Sequence, residues 1–236
     1  MKEAKLKVEL IAHTPDPERT IATAAHMCYA GVTVDELKTK LSDEQVAKLL
    51  KMLITSGHHS TLEHASFTFA IEGVSRALTH QLVRHRIASY SQQSQRYVNE
   101  ENMAFIVPPK VRANKEQLKA FEEAMEQTRE AYKKMIDAGI PKEDARFILP
   151  NAVETRIVVT MNTRALFNFL DHRLCTRAQW EIRVMAHMML KELKKVAPGL
   201  FNERGPICYS LGYCPEPKTC GLYPLKKDVI PEKKEK

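Results

Sequence analysis

Three segments of the chain carry the residue pattern of β-strands. Apolar and polar residues alternate from Lys5 to Ala12 and again from Ser66 to Glu72. Because successive side chains of a strand point to opposite faces, both segments predict half-buried strands. A third segment, Glu154 to Met161, is rich in β-branched residues and predicts another strand.

Other segments repeat apolar residues with the period of a helix. The clearest begins at Ser42, which forms a capping box with Gln45, and ends at Gly57. Further helices are predicted over about Val74–Arg84, from Asn114 to Gly139, from Pro141 to before Pro150, from Thr163 to Leu174 and from Arg177 to Val196. By contrast, Ser89–Gln95 is polar throughout and predicts a loop.

Strands and helices therefore mix along the chain, without an internal repeat or a composition break. This organisation favours an α+β fold, a single domain in which helices pack on a mostly antiparallel sheet. We expect that domain to span residues 1–225. Residues 226–236 are rich in Lys and Glu and predict a charged, disordered tail.

Composition adds a class of ligand and a compartment. The 236 residues are 44% hydrophobic, enough for a core without disulfides, and carry a formal charge of +7. Charge beyond the tail points to anionic ligands. Residues 1–13 lack a signal-peptide pattern, and no apolar run approaches a membrane span, so we expect no membrane partner. Five cysteines without a C-x-x-C pair predict a reduced, cytoplasmic protein.

The densest set of candidate ligand-binding groups lies between Arg84 and Tyr97. Three arginines, a histidine and several hydroxyls fall in this stretch. Guanidinium groups bind phosphate through paired hydrogen bonds, and serine hydroxyls add donors. The residue types indicate a site for a phosphorylated ligand, but they also suit a solvated basic turn. A third hypothesis is a nucleic-acid-binding module with Tyr90 and Tyr97 as stacking rings, although aromatic residues are only 7% of the chain.

Two further segments place polar residues in suggestive patterns. His59 and His64 lie five residues apart, off a common helical face, and there is no H-E-x-x-H, so we expect no metal there. Arg164, Asn168 and His172 are spaced by four and share one face of a predicted helix. That polar stripe suits either the edge of a cofactor or a solvent-facing surface.

The segment after Arg84 also carries a family resemblance. Its polar positions are Arg84, His85, Arg86, Ser89, Ser91, Ser94 and Arg96. They resemble the signature R-H-R-x-x-S-x-N-x-x-S-x-R of flavin-dependent thymidylate synthases, with Ser91 where the family usually has Asn. The segments His58–Phe69 and Asn162–Arg183 are similar to two other parts of that family. The resemblance covers about Lys7 to Val196.

The resemblance implies an activity, its cofactors and an assembly. The family methylates dUMP to dTMP with methylenetetrahydrofolate as carbon donor and with FAD reduced by NADPH. It implies a homotetramer with FAD pockets shared between subunits, and no nucleic-acid partner. Arginines suit this chemistry because they can stabilise negative charge that develops on the pyrimidine, whereas the hydride must come from a cofactor.

The resemblance also implies the roles of individual residues. Arg173 is expected to polarise the uracil and is the candidate catalytic residue, and His58 is expected at the face of the flavin and folate. The expected FAD-binding residues are Ser60, Glu63, Arg84, His85, Arg86, Ile87, Gln92, Asn162, Arg164 and Asn168. The expected dUMP-binding residues are Gln81, Arg84, Gln92, Ser94, Gln95, Arg96, Arg146 and Arg173.

Three of the cysteines form a regular pattern near the end of the chain. Cys208, Cys214 and Cys220 are spaced C-x5-C-x5-C in a segment rich in Gly and Pro. Three thiolates could bind Zn²⁺ with one further ligand, but the spacing differs from that of common structural zinc sites. We therefore expect free thiols and no metal.

Overall fold

The structure is a computed structural model that describes residues 2–37 and 41–230. Its strands and α-helices, in chain order, are β1 (Lys7–His13), α1 (Pro17–Tyr29), α2 (Val34–Leu37), α3 (Asp43–Thr55), β2 (Ser66–Ser75), α4 (Arg76–Leu82), β3 (Ser89–Gln92), α5 (Pro109–Arg112), α6 (Lys115–Asp137), α7 (Lys142–Ala145), β4 (Glu154–Asn162), α8 (Thr163–Arg173), α9 (Trp180–Val196), α10 (Pro198–Phe201), α11 (Ile207–Leu211) and α12 (Lys226–Val229). Two 3₁₀ helices cover His59–His64 and Arg146–Ile148.

The strands form one antiparallel sheet in the order β1-β2-β4-β3. Together with the helices, it confirms the predicted α+β class. The chain divides into two compact units, Met1–Glu9 with Ala70–Val159 (unit 1) and Leu10–Phe69 with Thr160–Lys236 (unit 2). The division falls within β1, β2 and β4, so each of these strands contributes residues to both units.

Unit 1 has an apolar core around α6. Phe105, Tyr132 and Val153 are fully buried there and pack with Met103 and Met125. A glycine is required where the chain passes closest to itself. Gly73 has a φ of 71°, and a Cβ at this position would lie 2.0 Å from the carbonyl oxygen of Lys5. Only glycine fits both the left-handed backbone and the contact.

Unit 2 is built mainly from helices around a cluster of aromatic rings. The ring of Phe201 makes edge-to-face contacts with those of Phe67 and Phe167, with centroids 5.6 Å apart in each pair. Ile21 of α1 and Leu50 of α3 are buried in the same unit. The 3₁₀ helix at His59–His64 packs against α1 and α8.

Local signals in the sequence predicted most helix boundaries. The capping box of Ser42 and Gln45 is present, and Asn114 caps α6 through bonds from the amides of Glu116 and Gln117. Two helices begin later than expected. The side chain of Ser75 caps α4, and that of Gln179 caps α9, so each helix starts at the following residue.

The prediction of a loop over Ser89–Gln95 was wrong for its first half. Ser89–Gln92 is strand β3, at the edge of the sheet beside β4. The pairing continues past the strand, since the amide of Gln93 donates to the carbonyl oxygen of Arg156 at 2.9 Å. An edge strand needs backbone partners on one side only, so it can form without an apolar face.

The end of the chain is partly helical. Helix α12 lies within the segment for which the sequence predicts disorder, whereas residues 231–236 lie outside the described residues. Among the residues described, no helix is both long and apolar enough to cross a membrane.

Candidate functional site

The Arg-His-Arg segment forms a short loop between α4 and β3 in unit 1. Its shape is fixed from inside by Tyr90, whose hydroxyl lies 2.8 Å from the carbonyl oxygen of Leu82 and 2.7 Å from that of His85. Arg84 and Arg86 are exposed, and within residues 2–37 and 41–230 neither forms an ion pair. The loop therefore presents two guanidinium groups that an anion can bind.

Gln92 is held by the sheet and by α4. Its amide nitrogen donates to the hydroxyls of Thr79, at 3.1 Å, and of Thr155, at 3.2 Å. These bonds fix the orientation of the side chain and occupy its donor end. The carbonyl oxygen is therefore the end of Gln92 that suits a ligand N–H.

Unit 1 also contains a polar cleft of about 280 Å³. Its lining residues are Arg76, His80, Gln95, Arg146, Phe147, Leu149, Pro150 and Asn151. Gln95 and Arg146 were expected at the nucleotide, and the cleft brings these two distant positions together. Arg76 and His80 were missed, although their spacing of four on α4 places them on one helix face.

The cleft gathers positive charge in a partly desolvated place. Burial lowers the pKa of Arg76, and neighbouring Arg146 lowers it further, while Glu100 acts in the opposite direction. Burial also raises the pKa of Glu100, with Glu154 adding to the rise. No described carboxylate lies within 4.0 Å of the guanidinium of Arg76 or Arg146. A bound anion would relieve the repulsion between these two arginines.

The buried Gln95 is flanked by two other expected nucleotide-binding residues, Ser94 and Arg96. The hydroxyl of Ser94 accepts a hydrogen bond from the amide of Arg96 at 3.2 Å. The guanidinium of Arg96 is paired with Glu143, at 3.0 Å from Nε and 2.8 Å from Nη2. Arg96 therefore has a protein partner that a phosphate must replace or share. Gln81, another residue of unit 1 that was expected to bind the nucleotide, is half-buried on α4.

In unit 2, the expected FAD-binding residues lie on the 3₁₀ helix and at the start of α8. Arg164 bonds Glu63, with 2.6 Å between Nη1 and Oε1. The side chain of Asn162 accepts a hydrogen bond from the amide of Ala165 at 2.8 Å and so caps α8. Ser60 is exposed on the 3₁₀ helix. Three of these polar groups, Arg164, Glu63 and Asn162, thus already make interactions within the unit.

The polar stripe predicted on α8 is present. Arg164, Asn168 and His172 are all exposed, and Nδ1 of His172 lies 2.7 Å from the carbonyl oxygen of Asn168. Arg173, the candidate catalytic residue, is the last residue of α8 and is half-buried. The carboxyl end of a helix carries a partial negative charge, so this position stabilises the positive charge of Arg173.

The neighbouring histidines make aromatic contacts. His58 stacks on Tyr29 with ring centroids 6.0 Å apart, and Nδ1 of His58 is hydrogen-bonded to the Tyr29 hydroxyl. His59 meets the ring of Phe167 edge-on at 6.3 Å. In the described part of the chain, no three His, Cys, Asp or Glu side chains are arranged around a metal position.

Comparison with known proteins identifies relatives along most of the chain. Residues 9–199 match the family model described as thymidylate synthase complementing protein. The flavin-dependent thymidylate synthase of Geobacter sulfurreducens is 54% identical over 219 residues, which are 92% of this chain and 94% of that protein. The enzyme of the same name from Clostridium tetani is 51% identical and covers 93% of this chain and 95% of its own length.

A solved structure shares the fold. It is the UMP/dUMP methylase PolB from Streptomyces cacaoi, bound with 5-Br dUMP, with a TM-score of 0.75 and 25% sequence identity. The similarity covers 86% of this chain and 96% of the methylase chain.

Proposed function

This chain belongs to the thymidylate synthase complementing protein family, the flavin-dependent thymidylate synthases, and we propose which of its residues bind each ligand and take part in the reaction. The reaction is the methylation of dUMP to dTMP. FAD is the cofactor, and NADPH and methylenetetrahydrofolate are the co-substrates.

The cleft of unit 1 is the proposed site for the phosphate of dUMP. The observation that carries this assignment is the pair Arg76 and Arg146, two cations that share one cleft and have no described carboxylate within 4.0 Å. A nucleotide monophosphate supplies two negative charges and accepts hydrogen bonds from guanidinium groups in pairs. Gln95, which is 7% exposed, adds a pre-positioned amide. Arg96 and Ser94 are assigned to the rim of the same subsite, and Gln81, Arg84 and Gln92 to the nucleoside.

The loop after α4 fits part of the FAD. Arg84 and Arg86 suit a pyrophosphate, and the side chain of Ile87, 71% exposed, suits a planar ring. The backbone of His85 is held in the same loop, because its carbonyl oxygen accepts a hydrogen bond from the hydroxyl of Tyr90. Ser60, Glu63, Asn162, Arg164 and Asn168 are the proposed FAD-binding residues of unit 2. When bound, FAD supplies the hydride that no side chain can provide.

Arg173 is the proposed catalytic residue. C5 of uracil is a weak nucleophile, and a guanidinium against the pyrimidine stabilises negative charge on its oxygens and N3. That interaction enriches C5 in electrons when the new carbon bond forms. Arginine cannot act as a base, because its proton is not lost in proteins. His58 is assigned to the face that the folate approaches.

Ser94 is proposed to position the nucleotide rather than to attack it. A nucleophilic serine needs a base that takes its proton. The hydroxyl of Ser94 instead accepts a bond from the amide of Arg96, whose guanidinium cannot serve as that base. Ser94→Ala should therefore weaken dUMP binding and leave a measurable rate.

The structure offers less to the nucleic-acid hypothesis. Tyr90, one of its two stacking rings, is half-buried and uses its hydroxyl to hold the loop after α4. Tyr97, the other ring, is exposed beside Arg96, but single-stranded nucleic acid is bound by stacking of successive bases on several rings. A small anionic ligand accounts for the arginines without such rings.

Three features of the family remain proposals for this chain. We propose a homotetramer with FAD pockets shared between subunits, a cytoplasmic location, and one catalytic domain over residues 1–225. All five cysteines are free thiols, which fits a reducing compartment. Mass measurement in solution and limited proteolysis test the assembly and the domain.

The experiment that tests the activity is dTMP formation from dUMP with FAD, NADPH and methylenetetrahydrofolate. We expect product only when all four are present, together with a flavin absorbance that the protein perturbs. A folded chain that binds FAD but produces no dTMP, with either NADPH or NADH, would contradict the assigned reaction.

A further inference from the structure

The ring of His58, the residue assigned to the face that the folate approaches, is held by Tyr29. The two rings stack with their centroids 6.0 Å apart and with an angle of 13° between their planes. The hydroxyl of Tyr29 is also hydrogen-bonded to Nδ1 of His58. Stacking limits the tilt of the imidazole and the hydrogen bond limits its rotation, so together they favour one orientation of the ring.

Both side chains start from backbone that is itself held in place. Tyr29 is the last residue of α1, in which Ile21 and Ala25 are fully buried. The amide of His58 donates to the carbonyl oxygen of Leu53 at 3.0 Å. The 3₁₀ helix that His58 precedes packs against α1. The contact between Tyr29 and His58 therefore joins two elements of unit 2 that are already packed together.

The hydrogen bond decides which nitrogen of His58 can meet a ligand. A neutral imidazole carries a proton on one ring nitrogen and accepts with the other. A phenol is a better donor than an imidazole N–H, and an imidazole nitrogen is a better acceptor than a phenol oxygen. The favoured arrangement therefore has the Tyr29 hydroxyl donating to Nδ1, which leaves the proton of His58 on Nε2. Among residues 2–37 and 41–230, Nε2 has no hydrogen-bond partner, so its N–H is available to a ligand.

The exposure of the pair indicates when this hydrogen bond matters. Tyr29 is 52% exposed, and His58 is exposed as well. Water competes for the hydroxyl and for Nδ1, so the bond contributes little to the stability of the ligand-free fold. A ligand that covers the imidazole excludes this water and strengthens the bond, because the surroundings become less polar. The pair is therefore expected to affect ligand binding more than folding.

We propose that Tyr29 is a positioning residue for His58 and presents the Nε2–H of His58 as a hydrogen-bond donor to methylenetetrahydrofolate. The proposal rests on the proposed function, in which His58 lies where the folate approaches. The folate offers acceptors in its pterin carbonyl and its glutamate carboxylates, which suit an N–H donor. No proton is transferred in this role, since Tyr29 keeps its hydroxyl proton and His58 keeps the proton on Nε2.

Steady-state kinetics of the full-length, FAD-loaded enzyme test the proposal. Tyr29→Phe keeps the stacked ring and removes only the hydroxyl. We expect it to raise the KM for methylenetetrahydrofolate roughly 3- to 10-fold, the effect of one hydrogen bond, with kcat and the KM for dUMP nearly unchanged. In the His58→Ala background, Tyr29→Phe should add nothing, because the hydroxyl has lost the group that it holds. Tyr209→Phe is the matched control and should keep wild-type kinetics, since Tyr209 is 50% exposed in the same unit.

The position of the imidazole proton is a second measurement, and a purely structural role of Tyr29 would not change it. Protein labelled with ¹⁵N-histidine and loaded with FAD and dUMP is compared with His58→Ala, in which the signals of His58 are missing. Correlation of the ring nitrogens with the carbon-bound ring protons shows which nitrogen is protonated. We expect the proton on Nε2 in the wild type and a mixture of the two tautomers in Tyr29→Phe.

Several results would overturn the positioning role alone. They are a wild-type His58 with its proton on Nδ1 or on both nitrogens, a wild-type KM for the folate in Tyr29→Phe when His58→Ala is impaired, and an equal effect of Tyr29→Phe with and without His58. Wild-type kinetics for His58→Ala would instead overturn the folate assignment of His58, and the role of Tyr29 with it. A wild type that makes no dTMP would overturn the reaction itself.

Discussion

The two units hold their candidate ligand-binding residues in different ways. In unit 1, Arg76 and Arg146 share a cleft without a close carboxylate, and Arg84 and Arg86 form no ion pair within the part of the chain described. In unit 2, Asn162 caps α8 and Arg164 pairs with Glu63. These four arginines of unit 1 are thus available to an anion, although Arg96 of the same unit is paired with Glu143. The groups of unit 2 already support the fold.

This difference predicts which substitutions separate binding from stability. A desolvated cation without a close partner costs folding free energy, which its ligand restores when it binds. A capping side chain contributes folding free energy before any ligand arrives. Substitutions in the cleft should therefore change affinity without lowering stability, and those at the start of α8 should lower both.

The largest effect is expected at Arg173, in unit 2. Arg173→Ala should lower kcat by roughly 100- to 1,000-fold, the usual loss when one charge-stabilising donor is removed. FAD affinity should change little, because the arginine is assigned to the pyrimidine. Stopped-flow turnover and a flavin titration measure the two quantities. If Arg173→Ala turns over dUMP at the wild-type rate, Arg173 is not the catalytic residue.

The next effect concerns the cleft of unit 1. Arg76→Gln should raise the Kd for dUMP by roughly 10- to 100-fold, since a charged hydrogen bond contributes about 1.5–3 kcal/mol. The melting temperature should stay the same or rise, because a partly buried cation is removed. Arg156→Gln is the matched control, as Arg156 is exposed in the same unit outside the cleft. If the two variants weaken dUMP binding equally, general charge explains the effect and the cleft assignment fails.

At the start of α8 the expected loss is one of stability. Asn162→Ala should lower the free energy of unfolding by about 1 kcal/mol and the melting temperature by about 2–4 °C in FAD-free protein. Arg86→Ala, in the exposed loop of unit 1, should weaken FAD binding without that shift. Differential scanning calorimetry of the two variants measures both melting temperatures. Equal melting temperatures for both variants would contradict the proposed difference between the units.

The smallest effect is a pH dependence in unit 1. The pKa of Glu100 is raised mainly by burial, so folding favours its protonated form. Its contribution to stability is present below the unfolded pKa of about 4.3 and is lost as the pH rises through the raised folded value. Relative to Glu100→Gln, the wild type should therefore lose stability as the pH rises above about 4.3. Urea unfolding at several pH values measures this difference, and a pH-independent difference would contradict it.

The sequence predicted what depends on local chemistry. Ser42 and Asn114 cap their helices through residues two or three positions away, so their roles are visible in the sequence. Strand β3 was missed because its polar residues are held by β4, which is distant along the chain.

The site was only partly predictable for the same reason. The resemblance pointed to Gln95 and Arg146, but only the fold shows that Arg76 and His80 line the same cleft. The pairing of Arg96 with Glu143 joins residues 47 positions apart and has no local signal.

Recognition of the dUMP phosphate by the cleft of unit 1 is the proposal on which the other nucleotide assignments depend. The most direct measurement is calorimetric binding of dUMP and of deoxyuridine to the FAD-loaded wild type and to Arg146→Ala. We expect that the wild type prefers dUMP by at least tenfold and that Arg146→Ala loses most of this preference, while deoxyuridine binds both proteins equally. A preference that survives in Arg146→Ala, or a wild type that binds the two ligands alike, would rule out phosphate binding in this cleft.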